Sequence, residues 1–349
     1  MHTTGNLYKR TKHPSVRILV TGTRGKSSLV RLLYAGLSAA GLRVWARVTG
    51  VLPRSLSPDG IQVIRRDAPV SFQEMRWWLE QIPGDAEAIV MENSAVSPEL
   101  QAAAGLWLNP SLIVWTTLRS DHEDAWGPGR LNAARALLRG IPKGVPVAAG
   151  QEVAPFRREL EARGCPVSLL AASPTASFQE ENLSLAMSAL KLVLKNTTTP
   201  ANLDPEAGAY AMKALEPDIA DFRILGNGND LLAAAFSAND VESTAKLFRE
   251  TAWTSQETML LYHHRQDRPA RLKGFLPWIT SMPWRKIVFT RTSRPLLPFS
   301  LSPAVRLKWE DDIRSPDSFM AWRKGRGRIF ACGNVAGWPL EYLMANGGA

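Results

Sequence analysis

The sequence predicts an α/β protein of two domains, an N-terminal P-loop domain with a mainly parallel sheet plus a smaller Rossmann-like α/β C-terminal domain. Three observations carry this. The chain has 349 residues, enough for two cores at roughly 150 residues each. From Val16 onward, short apolar runs alternate with amphipathic stretches, the pattern of βαβ units. A glycine-containing turn stands between the first such strand and the first such helix.

The apolar run 16–21 is the first strand, and further strands are expected at 43–48, 88–91, 112–116, 145–149 and 167–170. Leu29, Leu32, Leu33, Leu37 and Ala40 recur at i, i+3, i+4 spacing, so a helix follows the glycine turn and Gly41 ends it. Helices are also expected near 75 and near 131–139. Another covers 179–194, with Leu183, Ala186, Met187, Leu190 and Leu194 on one face, and the run from Asn196 to Pro200 breaks it. A short helical stretch then leads to apolar segments 222–225 and 231–236. The Gly-Asn-Gly-Asn turn at 226–229 joins them as a hairpin-like crossing. The boundary is placed there, giving domains 1–225 and 226–349. The alternation resumes with helix 241–250, strand 259–262, a helix near 271–279, strands 287–290 and 329–332, and a closing helix near 338–345.

Hydrophobic content of 45% and charged content of 21% describe a soluble globular chain. No apolar run approaches the roughly 18 residues of a membrane span. The polar, basic N-terminus is no secretory signal, and two cysteines exclude a disulfide framework, so a cytoplasmic setting is expected. Lys and Arg number 42 against 32 Asp and Glu, a net charge of +10. That field attracts nucleic acid, but also acidic small molecules and polymers. The basic residues are spread along the chain, and the densest cluster, 323–328, is expected to be a surface turn. Nucleic acid is therefore disfavoured as the partner.

The most informative segment is Thr21-Gly22-Thr23-Arg24-Gly25-Lys26-Ser27-Ser28. Phosphate binding needs unobstructed backbone N–H groups, a helix N-terminus aimed at the anion, and a lysine for the outer phosphates. Gly22 and Gly25 free the backbone, Lys26 supplies the charge, and the Ser27 hydroxyl suits Mg²⁺. One departure is Val20, where the general G-x-x-x-x-G-K-[ST] pattern has its first glycine. Downstream, the strand ending at Glu92 offers a carboxylate to a magnesium ion held against phosphates. The strand 112–116 runs out into Asp121-His122-Glu123-Asp124 and a glycine-containing loop, the end of a strand where α/β folds place their sites. Asp240 could cap a helix starting at Val241. Arg265, Asp267 and Arg268 could form a solvated ion-pair loop.

The phosphate loop resembles that of the Mur ligase superfamily, ATP-dependent amide-forming enzymes. Glu92 followed by Asp121-His122-x-Asp124 and Gly127 fits the pattern in which the glutamate and histidine help hold a second Mg²⁺. The carbamylated lysine that many of these ligases carry has no counterpart, since the helix near 131–139 shows Arg135 and Arg139 instead. The loop strand begins by residue 16, leaving no room for a nucleotide-sugar domain before it. Nearer still is the ligase subunit of bacterial poly-γ-glutamate (capsule) synthase, which the chain resembles over nearly its whole length. The similar stretches are the loop with Arg24, Val48-Thr49-Gly50 to Arg54, Ala88 to Pro98, Asp121 to Pro128, Asn182 with Ser184-Leu185-Ala186, and Phe236 to Thr244. Arg265 to Arg268 and Cys332-Gly333-Asn334 to Gly337 complete the set. The family's N-I-x-E-Q segment differs here, reading Val70 to Glu74.

That resemblance implies ATP and Mg²⁺ as cofactors and glutamate or a polyglutamate acceptor as substrate. It implies membrane-embedded synthase subunits as partners, which would hold the protein at the inner face of the membrane. Thr21 to Ser28, Asn182, Arg223, Asn239 and Asp240 would bind the nucleotide. Ser27, Glu92 and His122 would hold metal. Lys26, His122, Arg265 and Arg268 would act in catalysis, the two arginines clamping the incoming carboxylate. Two alternatives stay open from the residues: a related ligase adding another amino acid to a peptide or cofactor, and a non-catalytic nucleotide- or nucleic-acid-binding P-loop protein.

Overall fold

The structure is a computed structural model that describes residues 14–66, 71–119, 122–171, 176–196, 203–266, 268–291 and 309–346. The chain divides into two compact units, Met1–Leu215 and Glu216–Ala349.

The first unit runs β1 (Val16–Thr21), α1 (Lys26–Ala39), β2 (Val44–Val48), β3 (Arg54–Ser57), β4 (Gly60–Val63), α2 (Gln73–Glu80), β5 (Ala88–Glu92) and α3 (Pro98–Leu108). It continues through β6 (Leu112–Trp115), α4 (Glu123–Trp126), α5 (Arg130–Leu138), β7 (Val147–Gly150), α6 (Arg157–Ala162), β8 (Val167–Leu170), α7 (Phe178–Asn196) and α8 (Pro205–Lys213). Among the described residues the sheet has the order β4-β3-β2-β5-β1-β6-β7-β8. Strand β1 pairs in parallel with β5 on one side and β6 on the other. A parallel strand covered on both faces must be apolar throughout, and Ile18, Leu19 and Val20 are fully buried. Ile18 and Val20 pack with Leu29, Leu33 and Ala186 of α1 and α7. Leu19 faces the opposite layer with Met75, Ala104 and Leu137 of α2, α3 and α5. From β1 the chain turns toward β2, whereas β5 connects across β1 to β6. The carboxyl ends of these three strands therefore border the crevice where such sheets bind ligands.

Strands β3 and β4 form an antiparallel hairpin at the edge, which the strand patterning did not anticipate. All four residues of β4 are exposed, so no burial periodicity marks it. Its one local signal is the turn chemistry of Pro58-Asp59-Gly60.

The second unit runs β9 (Ile224–Asn227), β10 (Asp230–Ala234), α9 (Val241–Glu250), β11 (Met259–His264), α10 (Pro269–Ser281), β12 (Lys286–Arg291), α11 (Pro316–Arg323), β13 (Ile329–Cys332) and α12 (Trp338–Asn346). Its sheet has the order β12-β11-β13-β10-β9, with only the β9–β10 pair antiparallel among the described strands. The boundary expected at 225/226 falls inside β9, which joins the second sheet by pairing with β10. Leu232, Leu260, Leu261, Phe330 and Ala331 fill the middle of this unit. The basic cluster at 323–328 is not wholly a surface turn. Arg323 ends α11 buried, donating to the Tyr342 hydroxyl at 2.6 Å and to the Asp230 carbonyl at 3.0 Å. No helix among the described residues is long and apolar enough to cross a membrane.

Candidate nucleotide site

Between β1 and α1 the backbone turns through two glycines in the left-handed half of φ space. Gly22 has φ +128°, and a Cβ there would stand 2.2 Å from Thr116 Oγ1. Gly25 has φ +78°, and a Cβ there would meet Asn182 Oδ1 at 2.8 Å. Only glycine meets both demands. Val20 explains the missing first glycine of the general motif. It is a fully buried residue of β1, paired in register with Glu92, so the loop proper starts after Thr21.

The loop is braced from the segment after β6. Thr23 N donates to the Thr117 carbonyl at 3.0 Å, and Arg24 N to Thr117 Oγ1 at 2.9 Å. Arg119 N donates to Thr23 Oγ1 at 3.1 Å. Lys26 folds back over the loop, its Nζ donating to the Gly22 carbonyl at 2.8 Å. No side chain caps α1 and no acidic residue occupies its first turn, so its positive end is left for an anion. These features fit a polyphosphate. The glycine cradle would be filled by any Cβ, and lysine and helix terminus supply the charge.

Glu92 is 4% exposed at the end of β5. Its Oε2 accepts from Ser27 Oγ at 2.9 Å and from Thr49 N at 2.7 Å. Gly50 lies against the same hydroxyl, since a Cβ there would stand 2.5 Å from Ser27 Oγ. The structure thus brings together Ser27 and Glu92, and separately Asn182 and Gly25. One carboxylate and one hydroxyl suit Mg²⁺, which keeps waters and phosphate oxygens as its other ligands. Among the described residues no three His, Cys, Asp or Glu side chains group to hold a metal. His122 precedes α4 with φ +46°, a left-handed conformation uncommon outside glycine, and lies edge-on to Trp126 with centroids 5.1 Å apart. Asp121 lies outside the described residues.

Immediately after Glu92, Asn93 Nδ2 donates to Gln101 Oε1 at 2.6 Å, and Gln101 Nε2 to the Ala95 carbonyl at 2.7 Å. Ala95 N donates to Asn93 Oδ1 at 3.0 Å. This buried network fixes the backbone that presents Glu92. Sequence reading assigned no function to Thr49, Gly50, Thr117, Asn93 or Gln101. Their partners are 2 to 94 residues away in the chain, and the motifs marked only the Thr-Gly pair at 49–50 and, within Ala88 to Pro98, Asn93.

In the second unit Asn239, Asp240, Arg265 and Arg268 lie beyond the carboxyl ends of β10 and β11. Arg223 precedes β9, and its Nη2 reaches the Asp218 carbonyl. Asn239 and Asp240 follow β10. Asp240 caps α9, accepting from Ser243 N at 2.8 Å and Ser243 Oγ at 2.6 Å. Asn239 Oδ1 is buried without a hydrogen-bond partner among the described residues. Arg265 and Arg268 are exposed between β11 and α10, with Arg268 N donating to the Arg265 carbonyl at 3.1 Å. Asp267 lies outside the described residues. His263, not marked by any motif, is fully buried beside them. Its Nε2 lies 3.1 Å from the Ala336 carbonyl, which can only accept, so Nε2 carries the proton. Nδ1 then accepts from the Thr290 hydroxyl at 2.8 Å. Burial pushes the His263 pKa down to about 4, holding the ring neutral.

Fold and loop together define a protein of two α/β domains in the Mur ligase fold. The apo form of L. casei FPGS superposes with a TM-score of 0.63 at 15% identity, covering 95% of this chain and 90% of that one. Folylpolyglutamate synthase from Thermotoga maritima gives 0.60 at 14% identity over 95% and 89%. E. coli FolC in complex with ADP gives 0.61 at 15% over 96% and 90%. Residues 222–346 match the family model of the poly-gamma-glutamate synthase CapB C-terminal domain. PGA synthase CapB of Bacillus subtilis is 25% identical over 92% of this chain and 88% of its own length. Capsule biosynthesis protein CapB of Bacillus anthracis is 24% identical over 78% of this chain and 62% of its own length. The resemblance to a Mur ligase-like CapB is therefore supported by family, relatives and fold alike.

Proposed function

We propose that the chain is an ATP-dependent amide ligase that joins a carboxylate to the amine of glutamate and so extends poly-γ-glutamate. The observation that carries this reading is the Ser27–Glu92 pair set against an uncapped, glycine-turned helix terminus, in a chain similar to PGA synthase CapB. A carboxylate is a poor electrophile. Attack of its oxygen on the γ-phosphorus of ATP releases ADP and leaves an acyl phosphate, and attack of the amine nitrogen on the acyl carbon then expels phosphate. ATP supplies the phosphoryl group, and Mg²⁺ would neutralise its charge.

The protein's own residues position and stabilise. Amides of Gly25 to Ser28 cradle phosphate oxygens, with Thr23 and Arg24 held by Thr117, and Lys26 leaves the Gly22 carbonyl to follow the transferring group. Ser27, with Glu92 beside it, would hold a magnesium ion against the phosphates, and Glu92 and His122 would help hold a second. Asn182 packs at the nucleotide side of Gly25. In the second domain Arg223, Asn239 and Asp240 contact ATP, and Arg265 and Arg268 clamp the incoming glutamate with planar donor forks. The +10 charge suits a polyanionic product. The protein works in the cytoplasm, at the membrane's inner face with membrane-embedded partner subunits.

The test is phosphate release from ATP and Mg²⁺ across all L- and D-amino acids, with Lys26→Ala as control. Stimulation by glutamate that disappears in the variant is the expected result. Stimulation by a different amino acid would keep the chemistry and discard the polymer. Salt-sensitive nucleic-acid binding without amino-acid-dependent turnover would reject the ligase reading.

A further inference from the structure

Arg47 on β2 is 1% exposed and has no part in the nucleotide site described above. Its Nη2 donates to Glu74 Oε1 on α2. Arg66 holds the same carboxylate by two prongs, Nε to Oε2 at 2.7 Å and Nη2 to Oε1 at 3.0 Å. One carboxylate thus faces two guanidinium groups. Nε and Nη1 of Arg47 are buried with no hydrogen-bond partner among the described residues. Glu92 lies within electrostatic reach of Arg47, but its Oε2 is engaged by Ser27 and Thr49.

Stability does not account for this arrangement. A buried ion pair is often no better than an apolar replacement, and one with stranded donors is worse. We propose that Arg47 and Arg66 form a carboxylate-binding fork beside Glu74. Resting on the acidic-substrate ligase proposed above, its occupant is a non-reacting carboxylate of the acidic acceptor. Nε–H and Nη1–H of Arg47 lie on different edges of the guanidinium, so each offers a single donor to a carboxylate oxygen, and Arg66, 22% exposed, gives the entry side. Strand β2 runs from Arg47 directly into Thr49 and Gly50, which touch Glu92 and Ser27. An acceptor anchored here is therefore tethered beside the phosphate loop, and the energy of that remote contact serves to position the reacting end.

The experiment uses the full chain without ATP. The probes are glutarate and γ-linked triglutamate, their fully amidated forms and inorganic phosphate, each titrated by calorimetry against wild type, Arg47→Gln and Arg66→Gln. The carboxylate probes should bind wild type and lose about tenfold or more in affinity in both variants, while the amidated forms bind none of the three. In turnover, the acceptor KM should rise about as much, with the ATP KM changed less than about twofold. Should Arg47→Gln fail to fold, Arg66→Gln reads the same fork from its partly exposed side. Equal carboxylate affinity in wild type and variants would overturn the proposal. So would phosphate binding through the arginines as tightly as carboxylate, or a loss confined to kcat. Binding is read without turnover, so a wild type that ligates no acidic amino acid would remove the proposed function and leave the fork standing.

Discussion

The carboxyl ends of the two sheets are built differently. In the first unit, loop, brace and carboxylate are bonded to one another: Thr23 to Thr117, Lys26 to Gly22, and Glu92 to Ser27 and Thr49. In the second, the residues expected to act are exposed arginines and a helix cap, while the buried polar group, His263, is locked neutral between Thr290 and Ala336. A fixed cradle suits a phosphate chain whose charge must be met without reorganisation. Exposed side chains suit a substrate that enters and leaves at each cycle.

The largest effect that would break this contrast is at Lys26. If the first unit is a preformed electrostatic site, Lys26→Ala should lower ATP-dependent turnover by about 10² to 10³, with the melting temperature held, as phosphate release and thermal unfolding would show. Retained turnover would mean the cradle is only structural.

The second effect concerns His263. Its folded pKa of about 4 lies below the ordinary 6.5, so between those values the unfolded chain binds a proton that the folded chain refuses. Stability of the second unit should therefore fall as pH drops from 6.5 to 4 and level off below, by about 3 kcal/mol in all. Denaturant unfolding at a series of pH values measures it, and His263→Gln should flatten that limb. An unchanged slope would show that the site is not locked neutral.

A smaller change is expected at Glu92. Glu92→Gln should raise the magnesium needed for half-maximal turnover by about 10- to 100-fold, because the hydroxyl and backbone partners remain but the charge is gone. A magnesium titration checks it.

The smallest is at Asp240. Asp240→Ala removes the α9 cap at a cost of about 1 kcal/mol. A fall of a few degrees in melting temperature with the ATP KM unchanged would make it a cap alone. A raised KM would add the nucleotide contact.

Much of the fold was legible because its signals are local. Strands 16–21, 167–170 and 329–332 and helix 241–250 were read with the bounds observed. Each couples an apolar run or a helical period to a turn residue or cap within a few positions. The β3–β4 hairpin was not read, since its outer strand buries nothing. Arg323 was misplaced on the surface because its partners, Asp230 and Tyr342, are distant in sequence. In the candidate site, Gly22, Gly25, Lys26 and Ser27 stand in one unbroken motif, and Glu92 ends a strand. Thr117, Asn182 against Gly25 and the Asn93–Gln101 network carry no local pattern that announces their partners.

The sequence by itself determined the alternation of strands and helices, the glycine-turned loop after β1 and the identity of its charged groups. Apolar period, glycine freedom and lysine charge act within a few residues of the chain. Only the tertiary structure decided that Ser27 meets Glu92, that Asn182 meets Gly25, and that Arg47 is buried with donors to spare. The reason is physical. Parallel strands separated by long crossovers place side chains in contact whose spacing in sequence carries no trace of it, and burial sets their charge balance only once the sheet is assembled.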